Sequence, residues 1–447
     1  MNYKTSKTSM GCAEVDITPK NPVTMVGFDR SDQTSVGVLD GLAAQVFLWE
    51  KDGERLCLIS VDSIGLTVEI TTWLRSELSE SSGIPVERIM VCFTHTHSAP
   101  DGLFEREYVD FLLSSLTDGV SRAVADLCPV HAGWGVAYGD IGLNRRGDAE
   151  CLDRRIGVLK VVGESSGDVK ALLLRCTAHA NVLVGDNRKI SSDYVGFARE
   201  RLKKRYGCPV MITQGASGDV RPRFRNSMGE RLEIYSREAE SLGEDILKRL
   251  EEENVEALEK MADEIERAVG DVMSGIVVRP VSRLRMFSEM KDFRFEIPSK
   301  VRAEDIAKEA LDMCGIDGSS WLAEVAGLRE AGMTEGRVNM EIQYFLLDEG
   351  CICGVPEEAM CGIALEIADR AGSELVFFGG YTNGCRGYLP TEAEFDRGGF
   401  EVLWSYLLFF RCHRRVMPLV RESADELVSS VSDRLRSEGC NREARTI

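Results

Sequence analysis

The sequence predicts an α/β protein: a layered sandwich of central mixed β-sheets flanked by helices. Strand-like and helix-like segments alternate along all 447 residues, which is the pattern of this fold class. The hydrophobic content of 44% and the charged content of 28% are typical of a globular protein. No repeat, low-complexity segment or Pro-, Gly- or Ser-rich linker divides the chain. We therefore expect residues 1–447 to form a single large domain.

Apolar periodicity predicts the elements of the first half of the chain. Two apolar runs on either side of Lys51-Asp52-Gly53 predict a β-hairpin over 43–62. Further strands are predicted at 88–93, 154–162, 170–176 and 209–213. Helices are predicted at 70–83, 109–127 and 196–206, the first of them ended by Gly83.

The second half begins with residues 229–269, which are helical and highly charged. This segment predicts a helical layer or insertion with a solvated face that carries i,i+4 ion pairs. Strands are then predicted at 276–300, at 341–356 as a hairpin, and at 374–384. Helices are predicted at 319–332, 359–372 and 421–439, and the polar tail 440–447 is expected to be frayed.

The charge balance limits the partners. With 54 basic and 73 acidic residues the net charge is −19, which argues against a phosphate-backbone partner and an electrostatic membrane anchor. No apolar run approaches the roughly 20 residues of a membrane span. The remaining partner class is a small-molecule substrate, and a homo-oligomer is left open.

The expected location is the cytoplasm. The N-terminus has no apolar signal region, and the 14 cysteines form no CxxC pair, so we expect reduced thiols. Cys351 and Cys353 lie within an apolar run, which favours strand packing over metal binding.

The first cluster that could carry chemistry is FTHTHSAP at 93–100. Side chains two residues apart in an extended strand point to the same face, so His95 and His97 can address one point in space. Paired imidazoles at a strand end are a common beginning of a zinc site. The alternative is an ordinary surface pair.

Two further polar loops follow predicted strands. The loop after 170–176 carries His179 and then a dense set of hydrogen-bonding residues: Asp186, Asn187, Ser192, Asp193 and Tyr194. Its alternative explanation is a turn in which Asp193 caps the next helix. The loop 213–223 carries Asp219 and Arg221, with a tight connection and an ion pair as its alternative.

The last two clusters lie near the C-terminus. Glu357 and Glu358 follow a strand and open a predicted helix, where the helix dipole alone would favour carboxylates. A glycine-rich segment, 379–402, carries Tyr381 and Tyr388. All five clusters come just after predicted strands, and in α/β folds ligand sites gather at the C-terminal edge of the sheet.

The order and spacing of these blocks resemble the catalytic domain of neutral, non-lysosomal ceramidases, and in particular their short, single-domain bacterial and archaeal relatives. The matching blocks are GCAEVDITP, VGFDR, HTHSAPDG, LNRR, the His179 loop, QGASGDVRP, GVPEE and GYTNGCRGYLPTEAEFDRGGFE. The resemblance implies the fold of that catalytic domain, without the C-terminal immunoglobulin-like module of full ceramidases.

The resemblance also implies one Zn²⁺ per chain and hydrolysis of an amide bond by metal-activated water. The implied metal ligands are His95, His179, Glu358 and Tyr388. His97 and Arg145 are the positions that match groups contacting the substrate or the reacting atoms. We add Asp219 and Arg221 to the predicted catalytic residues. We expect substrate contacts from four others: Asp101, Asn187, Asp193 and Tyr194.

Three departures from the family pattern bear on the substrate. Arg221 stands where ceramidases carry a serine, Phe400 stands where a tyrosine is expected, and SAPDG replaces SGPGG and introduces Asp101. Guanidinium groups at Arg145 and Arg221 favour a substrate with a carboxylate or phosphate. The expected reaction is therefore hydrolysis of a small polar or N-acyl amide, lactam or ester, with ceramide as the second candidate.

Three other functions are weighed against this one. A two-metal phosphoesterase would use Asp186, Asp193 and Asp219, and would hold two ions per chain rather than one. A binding module with a dead site is also compatible with the fold. A structural zinc is disfavoured, because such sites prefer closed sets of Cys and His over ligands such as Glu and Tyr.

Overall fold

The structure is a computed structural model that describes residues 7–440, apart from residues 104, 149, 226 and 235. In the first half, the strands are β1 (Ser9–Asp16), β2 (Gly37–Val38), β3 (Ala43–Lys51), β4 (Glu54–Val61), β5 (Ile89–Phe93), β6 (Cys128–Tyr138), β7 (Gly142–Asn144), β8 (Arg155–Gly163), β9 (Val169–Cys176), β10 (Lys189–Ile190), β11 (Val210–Gln214) and β12 (Val220–Pro222). The helices there are α1 (Val68–Ser82), α2 (Arg106–Ala125) and α3 (Asp193–Tyr206).

The second half of the chain contributes fewer strands and more helices. The strands are β13 (Arg279–Pro280), β14 (Leu284–Glu296), β15 (Glu335–Leu347), β16 (Gly350–Gly354), β17 (Glu358–Ala359), β18 (Val376–Gly379) and β19 (Tyr388–Leu389). The helices are α4 (Ser227–Ile234), α5 (Glu244–Met273), α6 (Lys300–Cys314), α7 (Ser319–Glu330), α8 (Cys361–Ala371), α9 (Ser405–His413) and α10 (Ser423–Ser437). Short helical turns lie at Val86–Arg88, Ser236–Ser241, Glu392–Asp396 and Phe400–Trp404.

Two mixed sheets pack face to face. The larger has nine strands in the order β11-β9-β8-β6-β1-β3-β4-β5, with β13 paired to β6, and the smaller has the order β14-β15-β16-β18. Successive side chains of a strand point to opposite faces of a sheet, so the two faces of the smaller sheet pack against different layers. Phe345 and Phe377 of the smaller sheet contact Phe47 and Leu173 of the larger one. Tyr344 and its neighbours on the opposite face pack under α8 and α10.

Helices cover the outer face of the larger sheet. Residues of α1 and α2 share a core with β1, β3, β4 and β5, while α3 and α5 share another with β8, β9 and β11. The fold is therefore four layers: helices, larger sheet, smaller sheet, helices. This confirms the predicted α/β class with central mixed sheets flanked by helices.

The larger sheet curls until its two edge regions meet. The Ser60 hydroxyl in β4 donates to the Ile212 carbonyl in β11 at 2.7 Å. The segment after β18 runs antiparallel to β5: Phe93 N–H donates to Tyr381 O at 2.9 Å, and Asn383 N–H donates to Val91 O at 2.7 Å. As a result, a single site is surrounded by the C-terminal ends of five strands: β5, β9, β11, β16 and β18.

Most of the predicted elements are confirmed, and the differences are local. The hairpin over 43–62 is present as β3 and β4, and Gly83 ends α1 in the left-handed conformation. The segment 229–269 is broken into α4, a short turn and α5. Only one side of α5 is the solvated face predicted for this segment. On its other side, Leu258 and Ile265 pack into the core under α3.

Three further expectations from the sequence concern two cysteines, membrane-spanning helices and the C-terminal tail. Cys351 and Cys353 are buried in β16, as strand packing predicts. Within the described residues, no helix combines the length and the apolar character that crossing a bilayer requires. The tail predicted at 440–447 lies outside the described residues except for Cys440, which is buried.

A buried ion pair joins α3 to the larger sheet and gives the first prediction. Arg199 donates to both carboxylate oxygens of Asp62, at 3.1 and 2.7 Å, and Asp62 also accepts from Ala43 N–H at 2.9 Å. Arg199→Met leaves the buried carboxylate without its cation, so we expect a loss of about 3–5 kcal/mol in the free energy of unfolding. Chemical denaturation measures it.

The matched control for Arg199 is Arg201→Met. Arg201 lies on the same helix but pairs with Glu259 at the partly exposed surface. Because surface pairs contribute little, the control should lose no more than about 1 kcal/mol. Equal losses in the two variants would contradict the assignment of Arg199 as a main tie between helix and sheet.

Candidate metal centre

His95 reaches the centre through a change in backbone conformation. Strand β5 ends at Phe93, and His95 has a φ of 64°, in the left-handed region that non-glycine residues rarely occupy. Its N–H donates to Ser63 O at 2.8 Å, and its ring Nδ1 lies 2.6 Å from Ile64 O. The prediction that His95 and His97 share a face of an extended strand is therefore wrong, although their ring centroids lie only 5.0 Å apart.

His179 arrives from the opposite edge region of the larger sheet, which the curling of the sheet brings close to β5. It follows β9, is fully buried, and its N–H donates to Val220 O at 2.9 Å. Its ring Nδ1 lies 2.8 Å from Ser217 O, in the loop after β11. The backbone carbonyl therefore fixes the ring in the same way as Ile64 O fixes His95, with the proton on Nδ1.

The free edges of these two rings converge with a carboxylate. The Nε2 atoms of His95 and His179 are 3.1 Å apart, and Glu358 Oε2 lies 3.2 Å from the first and 3.5 Å from the second. With each Nδ1 proton directed at a carbonyl, the neutral form of each ring presents a lone pair at Nε2. Lone pairs and a carboxylate oxygen that face one another repel unless a cation or a proton lies between them.

The distances fit a single bound ion. Donor atoms about 2.0–2.2 Å from one Zn²⁺ at tetrahedral angles are about 3.3–3.6 Å apart. The observed separations of 3.1, 3.2 and 3.5 Å lie in or near this range. Glu358 Oε2 is buried and accepts no hydrogen bond from the described residues. The donor set and its second contacts to backbone carbonyls therefore suit a metal ion.

A third imidazole, that of His97, lies beside this trio. One ring nitrogen from each of His95, His97 and His179 lies within 4.8 Å of the other two, so this histidine group could hold a metal ion. The Nδ1 of His97 is 3.2 Å from Gly27 O, and its buried Nε2 has no partner among the described residues. Burial, with His95 and Arg145 nearby, lowers the pKa of His97 well below its usual value.

Glu358 and Tyr388 are brought together by a two-residue parallel ladder. Strand β17 pairs with β19 so that Glu358 lies opposite Tyr388, and Glu358 N–H donates to Gly387 O at 2.7 Å. The sequence placed Glu358 in the first turn of a helix, but α8 begins only at Cys361, so the helix dipole does not explain the carboxylate. Burial and the Glu358 charge raise the pKa of Tyr388 well above 10, so the phenol is neutral unless a cation is present.

The arginines predicted to meet the substrate lie in different surroundings. Arg145 Nη1 is 3.1 Å from Glu401 Oε1, and its charge is close enough to lower the pKa values of His97 and His179, both depressed mainly by burial. Arg221 is partly buried in β12, where its backbone pairs with Leu143 of β7. The catalytic roles of the two arginines stay predictions.

Two of the predicted polar residues are held by backbone groups. Asp193 is buried, and its carboxylate accepts from the N–H groups of Val182, Leu183 and Tyr194 at 3.2, 3.0 and 2.8 Å. Asp219 accepts from Cys361 N–H at 2.7 Å and from the Asn144 amide at 3.0 Å. These contacts hold the loops around the site, and the catalytic role of Asp219 and the substrate contact of Asp193 stay predictions.

The other predicted substrate contacts also show local partners. The Tyr194 hydroxyl is buried and donates to Ala178 O at 2.7 Å, directly before His179. The Asn187 amide donates to Ser98 Oγ at 2.9 Å, and Asp101 Oδ1 accepts from Leu103 N–H at 2.7 Å. Tyr194 therefore supports His179 from behind, and substrate contacts for Asn187 and Asp101 stay predictions.

The sequence did not indicate the contacts of three features of the site. Tyr381, with a φ of 56°, stacks its ring 4.2 Å from that of His95 and shares a 3.1 Å hydrogen bond with Ser217. Arg415 and Glu357 form a fully buried ion pair that also holds Tyr388 O. Gln214 bridges the backbone before both histidines. Only the glycine-rich loop around Tyr381 gave a local signal, since the other two depend on contacts between distant segments.

The same fold is found in solved ceramidases. The neutral ceramidase from Pseudomonas aeruginosa superposes with a TM-score of 0.69 at 18% identity, over 97% of this chain and 75% of that one. A ceramidase complexed with C2 superposes with a TM-score of 0.67 at 16% identity, over 97% of this chain and 76% of that one. No protein-family model and no curated protein matches the sequence.

A buried histidine behind Tyr388 gives a pH-dependent prediction. The ring of His413 packs against Gly387 and Tyr406, and burial, followed by the charges of Arg415 and Arg386, lowers its pKa well below 6.5. The unfolded chain then binds a proton that the folded chain does not, so stability is complete above about pH 6.5 and falls below it. Each such histidine contributes a slope of about 1.4 kcal/mol per pH unit.

His413→Gln should remove one of these protons. In urea unfolding of the metal-free protein between pH 7 and pH 5, we expect the stability of the variant to fall less steeply, by about one proton. Measurements at pH 8, where His413 is neutral in both states, give the constant packing cost of the substitution. A variant as acid-sensitive as the parent would contradict the assignment.

Proposed function

We propose that this chain is a zinc-dependent hydrolase that cleaves an amide bond, with one ion held by His95, His179, Glu358 and Tyr388. The observation that carries the proposal is the meeting of two bare imidazole nitrogens and one carboxylate oxygen, each within 3.5 Å of the others. Zinc supplies a polarising charge and lowers the pKa of water from about 15.7 toward about 7. The likeness in fold to solved ceramidases supports the choice of an N-acyl bond.

The surrounding side chains suit the proton and charge movements of amide cleavage. His97 has a bare, buried Nε2 and a lowered pKa, so near pH 7 it is neutral and able to accept a proton. Arg145 brings a positive charge close to both imidazoles, where negative charge develops on the amide oxygen during attack. We assign His97 as the proton carrier and Arg145 as the group that stabilises the oxyanion or binds an anionic part of the substrate.

The alternative with two metal ions is less well supported. It needs Asp186, Asp193 and Asp219 as ligands, but the last two spend their oxygens on backbone N–H groups and an amide. Asp186 is buried, and its Oδ2 accepts from the Asn254 amide at 2.7 Å. A single ion at the histidines is therefore the simpler arrangement.

Metal content tests the proposal directly. We expect one zinc per chain by elemental analysis, and loss of hydrolysis after chelation that returns with added Zn²⁺. His95→Ala and His179→Ala remove ligands, so each should weaken zinc binding by more than about 100-fold, beyond the loss caused by outer partners.

The matched control for the ligand variants is His131→Ala. It removes an imidazole from strand β6, outside the cluster, and should leave the zinc content unchanged. Two ions per chain would favour the phosphoesterase, and a parent protein that binds no zinc would overturn the proposal.

The preferred substrate is a small polar N-acyl compound with an anionic group, and ceramide is the second candidate. Arg145→Gln should raise KM for a carboxylate-bearing N-acyl compound by about 10–100-fold, the value of a lost charged hydrogen bond. It should leave KM for a neutral amide of the same size nearly unchanged.

Arg146→Gln is the control for the substrate experiment. Arg146 is adjacent, and its closest ion pair is with Glu394 at 2.8 Å, although its Nη2 also lies 3.6 Å from Glu401, the partner of Arg145. Its substitution should not separate the anionic from the neutral substrate. Efficient cleavage of short-chain ceramide together with inactivity on polar N-acyl compounds would reverse the order of the two candidates while leaving the metal centre in place.

A further inference from the structure

Gln214 lies at the end of β11 and is almost wholly buried behind the two metal-facing histidines. A glutamine amide has two N–H donors and a carbonyl acceptor, and here all are used. Nε2 donates to Thr94 O at 3.1 Å and to Ala178 O at 2.7 Å, and Oε1 accepts from Ala178 N–H at 3.3 Å.

The positions of these contacts matter more than their number. Thr94 directly precedes His95, and Ala178 directly precedes His179. One side chain therefore joins the two backbone segments at the residue before each imidazole. These segments follow β5 and β9, which the sheet order places far apart, so strand pairing does not fix their separation. One backbone bond, from His97 N–H to Ala180 O at 3.2 Å, supports the same junction.

We infer that Gln214 is a positioning residue that sets the distance between His95 Nε2 and His179 Nε2 and so the affinity of the site for its metal ion. The inference rests on the proposed function, because it concerns the same ion. A shift of a few tenths of an ångström between the rings would move both donors away from distances near 2.0–2.1 Å, which zinc–imidazole bonds require. Glutamine is suited to the position because shorter or apolar side chains cannot bond both segments.

A second buried glutamine offers a matched control. Gln343 lies on β15 and is also fully buried, and its Nε2 donates to Glu87 O at 3.0 Å and Ile89 O at 3.4 Å. These carbonyls lie just before and at the start of β5, whereas Gln214 acts beyond the end of that strand. The Gln343 Oε1 also accepts from the Asn383 amide. Gln343→Met therefore removes comparable buried hydrogen bonds without removing a bond to Thr94 or Ala178.

The experiment compares Zn²⁺ dissociation constants for the parent, Gln214→Met and Gln343→Met by competition with a chromophoric chelator, and records the visible absorption of bound Co²⁺. We expect Gln214→Met to weaken Zn²⁺ binding by about 10–100-fold, as outer-partner losses do, and to alter the Co²⁺ spectrum. Gln343→Met should lower the Tm but keep the dissociation constant within about twofold, because Gln343 bonds neither of the backbone segments that precede His95 and His179.

Gln214→Asn provides a second measurement if the methionine variant does not fold. It keeps the amide but is too short to span both segments, so it should also weaken binding. A Gln214 variant that loses stability yet binds Zn²⁺ as tightly as the parent overturns the inference and leaves the proposed function standing. A parent protein that binds no Zn²⁺ overturns both.

Discussion

The arrangement on which the site depends is electrostatic: the Nε2 atoms of two imidazoles and one oxygen of Glu358 lie within 3.5 Å of one another in the interior. Two imidazoles turn their Nδ1–H groups to backbone carbonyls, which leaves both Nε2 lone pairs pointing at Glu358. In an apolar interior such a group costs free energy unless a cation neutralises it. The surrounding structure has to hold these atoms together against their repulsion whenever the proposed ion is absent.

The scaffold does this by drawing donors from both sheets. His95 and His179 come from the curled edge of the larger sheet, whereas Glu358 and Tyr388 come from the loops after β16 and β18 of the smaller one. Asp193, the first residue of α3, ties the His179 loop to that helix through two backbone N–H groups of the loop, those of Val182 and Leu183. The local strain at His95, in the left-handed region, is tolerated because backbone bonds on both sides determine its conformation.

Features set by short sequence patterns could be predicted, whereas features set by contacts between distant segments of the chain could not. The hairpin 43–62 and the helix ended by Gly83 follow from alternation and turn residues, and the structure has both. The positions of the five clusters after strands also followed from short patterns. The conformation of His95, the ladder that carries Glu358 and the Gln214 bridge did not, because each is set by contacts with segments far along the chain. Helices α6 and α9 were missed for a similar reason, since they form a separate small core with α7.

The adjacent residues Glu357 and Glu358 have different surroundings: the first forms a buried ion pair with an arginine, and the second faces the imidazoles. In an extended segment successive side chains point to opposite sides. Glu357 points to Arg415, which donates to both its oxygens at 3.0 and 2.6 Å, and the pair is fully buried. Glu358 points to the imidazoles, and among the described residues it pairs with no lysine or arginine. Among the described residues, an arginine pairs with Glu357, whereas the groups beside Glu358 are two imidazoles. This difference is why the proposed metal ion is placed at Glu358.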